Sequence, residues 1–495
     1  MDRLKKRRLR RVLLFVPVGL IVAAALVVGG SYAWLNCQVG RARVETTGEF
    51  GTSLVAPIDP PESMDILVLG CDKRPDSAGE ETRSDTVMLV HIDKEADYLS
   101  ILSLPRDLRV EVPGHGMHKL NWAYSQGGRD LAAATIETLT NIEIEHFVEV
   151  GFKAFSDMVD ALGGVYMDID RRYYNDLADS DYEHIKISPG YQLLHGADAL
   201  DYVRFRHDQN YDFGRMNRQQ RFLTALREQA MGWNLALDLP GVIKALFGNL
   251  ETTLGTRDIM SLAYWGVKLD GNRIRQVSLI GNINTIDGES CVTLEEGALE
   301  EAVAQLLTPS YGAGSASTTD LSVAKVETTT TLPLTSIDPS EFTTDLDAIE
   351  NSTLWHGFAA SVPFQVRAPG YLPATYSFMD SNPSRKTYGA YDIQAGKKTE
   401  KAIKMVYQRE GTDQYLGIMQ TTWLDAPAAS KGRQEVEHNG ITYTIVGTSQ
   451  STDHVWWIED DVLYWVSNTL SYSLSPRELL KVAWSMIPVP GGTSG

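Results

Sequence analysis

Cysteine is scarce in this chain: three in 495 residues, Cys37, Cys71 and Cys291. Three is odd, and no Cys-x-x-Cys or Cys/His spacing suggests a zinc site. Cys71 and Cys291 read either as a pair or as two buried thiols, and Cys37 as a lipidated or idle residue. A Gly-x-x-x-x-Gly-Lys-Ser/Thr loop is missing too, as is a Gly-x-Ser-x-Gly elbow, so ATP use and serine acyl transfer have no support. Basic charge is in short supply. The formal net charge is −19, and seven of the 45 Lys and Arg fall in the first eleven residues beside one acid. The remainder holds 38 basic against 63 acidic side chains, a balance of −25. That field argues against a nucleic-acid partner, since phosphate-backbone binding calls for a basic one.

Long uncharged runs are also few, and the one from Val12 to Leu35 stands out. It is long enough to cross a bilayer as a helix. With the basic tail of residues 1–11 held in the cytoplasm, everything beyond would lie outside the cell membrane. Residues 36–62 read as a polar stalk. Residues 63–307 alternate strand and helix patterns at variable spacing, which predicts an α/β domain with a mixed central sheet flanked by helices. Residues 308–351 are dense in Ser and Thr and poor in apolar side chains, which predicts a linker between independently folding units. Residues 352–490 predict a smaller α+β module. Its strands Val455–Ile458 and Val462–Val466 form a hairpin through Asp460-Asp461, and Ser475-Pro476-Arg477-Glu478 opens a capped helix.

Chemistry-bearing residues gather at strand ends. A buried strand, Met64 to Gly70, runs into Cys71-Asp72-Lys73-Arg74, and Arg83-Ser84-Asp85-Thr86 opens the next one. Two aspartates at neighbouring strand ends suit Mg²⁺ on a phosphate substrate, and read equally well as turn and cap residues. The strand Tyr98 to Leu104 stops at Pro105, followed by Arg106 and Asp107. Helices are expected over Lys153–Leu162 and from Arg129 to Leu139. The stretch Asp198 to Leu223 carries five arginines. Arg204 and Arg206, two apart in an apolar run, read as one face of a strand. Arg215 and Gln219, four apart, share a helix face if Asp212 is the N-cap. Paired guanidinium forks facing that helix would suit a diphosphate, and a solvated face with ion pairs to Asp198, Asp201 and Asp208 is the plainer alternative.

Taken together, Gly70-Cys71-Asp72-Lys73-Arg74, Arg83-Ser84-Asp85-Thr86, Leu104-Pro105-Arg106-Asp107, Lys119-Leu120-Asn121-Trp122-Ala123-Tyr124, Gly163-Gly164-Val165 and the Asp198–Gln220 block resemble the LytR-CpsA-Psr family of membrane-anchored cell-wall ligases. The resemblance covers about a third of the chain. It implies an enzyme that moves a glycopolymer, such as a teichoic acid or capsule, from a polyprenyl diphosphate to a muramic acid hydroxyl of peptidoglycan. By position, Asp72 and Asp85 would hold Mg²⁺. Arg106, Arg204, Arg206, Arg215 and Gln219 would grip the diphosphate, with Lys119 and Arg83 nearby. Asp212 would steady the arginines, and Asp107 is the candidate base. Cys71 stands where Ser or Thr is common in the family. The apolar stripes around Phe155 and Phe222 would line a polyprenyl tunnel. A polyprenyl-diphosphate hydrolase and a non-catalytic receptor for lipid-linked anionic glycans remain as alternatives.

Overall fold

The computed structural model describes residues 33–41, 43, 63–71, 84–175, 185–206, 211–230, 250–269, 273–309, 353–378, 389–429, 432, 434–447 and 452–490. The basic tail, all but the last three residues of the uncharged run, most of the stalk and nearly all of the linker lie outside them, as do Asp72 and Arg83. Among the described residues no helix is long and apolar enough to cross a membrane.

A short helix, α1 (residues 33–41), precedes β1 (Ser63–Cys71), β2 (Ser84–Asp93) and β3 (Tyr98–Leu104). The hairpin β4 (Arg109–Val112) and β5 (Gly116–Lys119) leads into α2 (Leu120–Thr140), then β6 (His146–Gly151) and α3 (Phe152–Ala161). Next come β7 (Val165–Ile169), the ribbon β8 (Tyr173–Asn175) with β9 (Ile185–Ile187), and β10 (Gly190–Leu194), which pairs with β7. Helices α4 (Gly196–Arg204) and α5 (Tyr211–Ala230) follow, then β11 (Leu250–Thr252), α6 (Thr256–Lys268), β12 (Ile274–Ser278), the hairpin β13 (Asn282–Ile286) and β14 (Glu289–Thr293), and α7 (Ala298–Leu307).

Six of these strands form one sheet in the order β11-β6-β1-β2-β3-β12. It is mixed as expected: β1 is antiparallel to β2 and parallel to β6, and β12 is parallel to β3. The period of two decides its layers. Leu67, Leu69 and Cys71 face a core closed by α2 and α7, while Met64, Ile66 and Val68 face one closed by α6. Burial on both faces is why β1 reads as a nearly continuous apolar run, and each fully buried leucine stabilises the fold by about 2 kcal/mol. The C-terminal ends of β1, β3, β6 and β12 share one edge of the sheet, where β2 begins.

The structure decides several sequence expectations. Arg204 and Arg206 do not share a strand face: Arg204 closes a helix, in which Ala199, Tyr202 and Val203 turn inward at spacings of three and four, and Arg206 follows the Phe205 cap. The helix expected from Arg129 is present as the second segment of α2: Gly128, whose φ of 62° the missing Cβ permits, is non-helical and separates it from a first segment that starts at Leu120. Helix α5 is already helical at Tyr211, one residue ahead of the expected Asp212 cap. Cys71 and Cys291 are both buried and form no disulfide with each other, Cys71 lying in the main core against Tyr124.

The C-terminal region is β-rich. After α8 (Thr353–Ala359) come β15 (Arg367–Pro369), β16 (Tyr376–Phe378), β17 (Ala390–Ala395), β18 (Lys398–Arg409) and β19 (Tyr415–Thr421). Strands β20 (Gln434–His438), β21 (Ile441–Gly447), β22 (Thr452–Glu459) and β23 (Val462–Ser467) follow, then α9 (Pro476–Trp484) and β24 (Met486–Pro488), which pairs with β15. Eight of the strands, β16 to β23, make an antiparallel sheet. The β22–β23 turn places Asp460 and Asp461 at φ of 51° and 56°, the left-handed pair a tight hairpin needs. Ser475 caps α9 by accepting from the Glu478 N–H at 3.2 Å. The Glu478 carboxylate does not complete the box; it takes the Tyr371 hydroxyl at 2.6 Å and Lys481 at 2.9 Å.

The two regions share an interface. Asp168 on β7 accepts from Lys404 at 2.5 Å, from the Trp465 indole at 3.0 Å and from Ser467. Tyr191 on β10 packs with Ile393, Ala402, Met419 and Trp465 in one apolar cluster, and its backbone N–H donates to the Tyr391 hydroxyl at 2.7 Å. Lys404 is fully buried, and removing one partner of such a pair costs about 3–5 kcal/mol. Asp453, nearby on β22, is subject to burial that would raise its carboxyl, but the His454 hydrogen bond and the Arg221, His454 and Lys404 charges hold it at about 2. A depressed carboxyl contributes stability above its unfolded value and loses it as pH falls through the folded one. Acid titration followed by tryptophan fluorescence should therefore show stability falling by about 2 kcal/mol between pH of about 4 and 2. Asp453→Asn should flatten that interval, and an unchanged slope would contradict the assignment.

Candidate functional site

The sheet edge described above gathers the motif residues. β1 ends at Cys71 opposite Ser84, and Gly70 lies opposite Thr86. A Cβ on Gly70 would come within 2.9 Å of Thr86 Cβ, so glycine allows the Thr86 side chain to lie across the strand end. Thr86 Oγ1 there accepts from the Gln219 amide at 2.8 Å, and the same amide donates to Val203 O at 3.4 Å. One glutamine thus ties the start of β2 to α4 and α5.

Beside it, Pro105 ends β3 and turns Arg106 back over the edge. Arg106 Nη1 donates to Asp85 Oδ1, and its Nε lies 3.6 Å from Asp107 Oδ2. Arg206 Nη2 reaches that same Asp107 oxygen at 3.4 Å. Asp85, Arg106, Asp107 and Arg206 therefore form one alternating chain of charge, each side chain between 15% and 23% exposed, so it faces a partly open edge. The Arg106 backbone is fixed as well. Its carbonyl accepts Asn121 N–H at 2.9 Å, Leu108 O accepts Leu120 N–H at 2.8 Å, and Asp107 O accepts Val292 N–H at 2.8 Å.

Arg204, at the end of α4, stacks its guanidinium 4.0 Å from the centre of the Phe152 ring. Phe152 follows Gly151, and Gly151 is paired with Cys71, so Arg204 belongs to the same edge. Arg215 is buried on α5, one turn before Gln219. Lys119 ends β5 and pairs with the exposed Glu289 at 3.7 Å. Burial pushes the Asp201 carboxyl up to about 6, with Arg204 opposing and Asp198 assisting. Asp72 and Arg83 lie outside the described residues, as does the Asp212 side chain.

The sequence missed some contributors. Arg218, counted among five arginines but given no role, is fully buried and donates to Phe205 O between Arg204 and Arg206. Gln220 spans Ser103 on β3 and Ser278 on β12. Their signal was the run Arg218-Gln219-Gln220-Arg221, four consecutive polar side chains that a helix must aim in four directions. Phe155 and Phe222, from the apolar stripes, bring their rings to 5.0 Å within one core cluster.

Among the described residues no group of three or more His, Cys, Asp or Glu could hold a metal. Mg²⁺ on a phosphate substrate needs only one or two carboxylates, however, the phosphates and water filling the rest. Asp85, a hard oxygen donor at the partly open edge, fits that requirement.

Residues 41–308 match the family model described as the LytR_cpsA_psr family. The regulatory protein MsrR of Staphylococcus aureus is 32% identical over 200 residues, 40% of this chain. That match spans 58% of MsrR's own length. A polyisoprenyl-teichoic acid–peptidoglycan teichoic acid transferase, TagU of Enterococcus faecalis, is 29% identical over 292 residues, 58% of this chain and 94% of the relative. The crystal structure of TagV from B. subtilis is 28% identical, covering 50% of this chain and 96% of that one at a TM-score of 0.44.

Proposed function

Because the chain belongs to the LytR-CpsA-Psr family, we propose that it is a transferase moving a glycopolymer from a polyprenyl diphosphate carrier to a muramic acid hydroxyl of peptidoglycan. The observation that carries this reading is Arg106 spanning Asp85 and Asp107 beside Arg206, at the edge where the motif strands end. The likeness to TagU, a teichoic acid transferase, supports the reaction class.

In the proposed step, the acceptor hydroxyl oxygen attacks the sugar-linked phosphorus. A new phosphorus–oxygen bond forms, the bond to the bridging oxygen breaks, and polyprenyl phosphate leaves with that oxygen and its electron pair. The hydroxyl proton passes to the Asp107 carboxylate. Arg106, Arg204, Arg206, Arg215 and Gln219 hold the diphosphate, with Lys119 and Arg83 at its margin and Asp212 steadying the arginines. Phosphoryl transfer depends on such positioning and charge neutralisation more than on a covalent nucleophile. Asp72 and Asp85 would hold Mg²⁺, which supplies positive charge against the phosphate oxygens. The polyprenyl chain follows the apolar residues around Phe155 and Phe222.

We also propose that residues 12–35 anchor the chain in the cell membrane, with residues 1–11 cytoplasmic and the folded regions outside. The domain limits 63–307 and 352–490 are part of the same proposal. Full-length chain extracted from membranes with detergent should carry a polyprenyl-diphosphate sugar detectable by mass spectrometry. Recovery only from the soluble fraction, free of any polyprenyl lipid, would contradict both readings.

A further inference from the structure

One turn of α5 fastens four separate parts of the molecule. Arg218 donates to Phe205 O, and Gln219 to Thr86 Oγ1 and Val203 O. Gln220 donates to Ser278 Oγ at 2.9 Å and Ser103 Oγ at 3.3 Å. These partners lie within three residues of Arg204, Arg206, Asp85 or Arg106, or close the same sheet edge. The next residue departs from the pattern. Arg221 Nη2 donates to the carbonyls of Asn468 at 2.7 Å and Thr469 at 3.2 Å, and lies 3.6 Å from Asp453 Oδ1. All three acceptors belong to the C-terminal region.

Those acceptors are rigidly placed. Asn468 is fully buried; its side-chain amide donates to Thr452 O and Leu474 O at 2.8 Å each, and its Oδ1 accepts the Thr469 and Leu474 N–H groups. Arg221 is itself buried, and a buried guanidinium stripped of its acceptors is costly enough to move the element that carries it. The cavity left at this joint, lined among others by Asp168, Arg221, Asp453 and Ser467, holds about 50 Å³. That is too small for any glycan or lipid, so the surface is a joint and not a ligand pocket.

We propose that the C-terminal region is a positioning part of the transfer site. The joint from Arg221 to Asn468, Thr469 and Asp453 sets the placement of α5, and α5 in turn sets Arg215, Gln219 and the Phe205 backbone between two arginines. The inference rests on the transferase reading, under which these groups grip a diphosphate. Displacing such groups by about 1 Å is enough to lose roughly two decades of function.

The test uses the full chain and octaprenyl diphosphate as probe, with affinity measured by titration and folding by thermal melting. Arg221→Lys keeps the charge near Asp453 but loses the doubled carbonyl contact. It should bind the probe about tenfold more weakly while still melting cooperatively above the assay temperature, the scale of coupling through one polar network. Asp453→Asn, which leaves the guanidinium and both carbonyl bonds in place, should weaken binding in the same direction, and serves alone if Arg221→Lys does not fold. Tyr391→Phe loosens the same interface away from α5 and should lower the melting temperature without changing affinity. Equal affinity in all four proteins, or an equal loss in Tyr391→Phe, would overturn the positioning role while leaving the transferase reading intact. Failure of the unaltered chain to bind octaprenyl diphosphate would overturn the transferase reading, and this inference with it.

Discussion

In the Asp72→Ala, Asp85→Ala double variant, transfer of sugar phosphate should fall by roughly a thousandfold or more, and what remains should be indifferent to Mg²⁺. Two negative phosphates meet a hydroxyl in this reaction, and the charge that lets them do so is worth several kcal/mol in the transition state. The effect must be separated from damage to the edge itself, because Asp85 is also the partner of Arg106 Nη1. Arg106 also lies 3.6 Å from Asp107, so it retains a carboxylate neighbour and the variant should still fold. Melting of the variant near the unaltered temperature, with transfer gone, is the expected pattern. Retained Mg²⁺-dependent transfer would remove both aspartates from the proposed site.

Arg106→Lys should lower turnover by about a hundredfold, the scale of removing one preorganised donor from a transition state. The structure gives this conservative change its large effect. The guanidinium fork reaches Asp85 with one nitrogen and turns a second toward Asp107; an ammonium is a single point charge and cannot hold two carboxylates apart in a fixed plane. Substrate affinity should change much less, since Arg204 and Arg206 remain. Measured kcat and KM separate these effects. A rise in KM at constant kcat would mean that Arg106 serves ground-state binding alone.

How much of this was legible in the chain differs by element. β1, β2 and β3 were readable because both faces are largely buried, so their apolar runs are interrupted only by single polar residues such as His91, Ser100 and Ser103, and those of β1 and β3 stop at Gly70 and Pro105. Helix α4 was misread because Tyr202, Val203 and Phe205 favour strands, while the deciding feature, the inward spacing of Ala199, Tyr202 and Val203, spans little more than one turn. The ion chain through Asp85, Arg106, Asp107 and Arg206 could be foreseen as a set of residue types at strand ends, not as a connected path. Joining them depends on the pairing of β2 with β3, which sets Val87 opposite Leu104, and on the end of α4 reaching the same edge. The interface with the C-terminal region was invisible for a similar reason. Asp168 meets Lys404, and Arg221 meets Asn468, across more than 230 residues, and a Ser/Thr-rich linker suggests separation whether or not the flanking regions pack together.

The most direct test of the transferase reading is a reconstituted reaction. Purified full-length chain is mixed with a polyprenyl-diphosphate-linked sugar labelled in the sugar, a peptidoglycan fragment at saturation, and Mg²⁺. Polyprenyl phosphate and labelled peptidoglycan are then quantified together. The account predicts that the two appear in equal amounts and that both vanish in the double aspartate variant. Polyprenyl phosphate released without label on the fragment would identify a hydrolase, and tight binding with neither product, unchanged in that variant, would identify a receptor; either result would contradict the transfer proposed here.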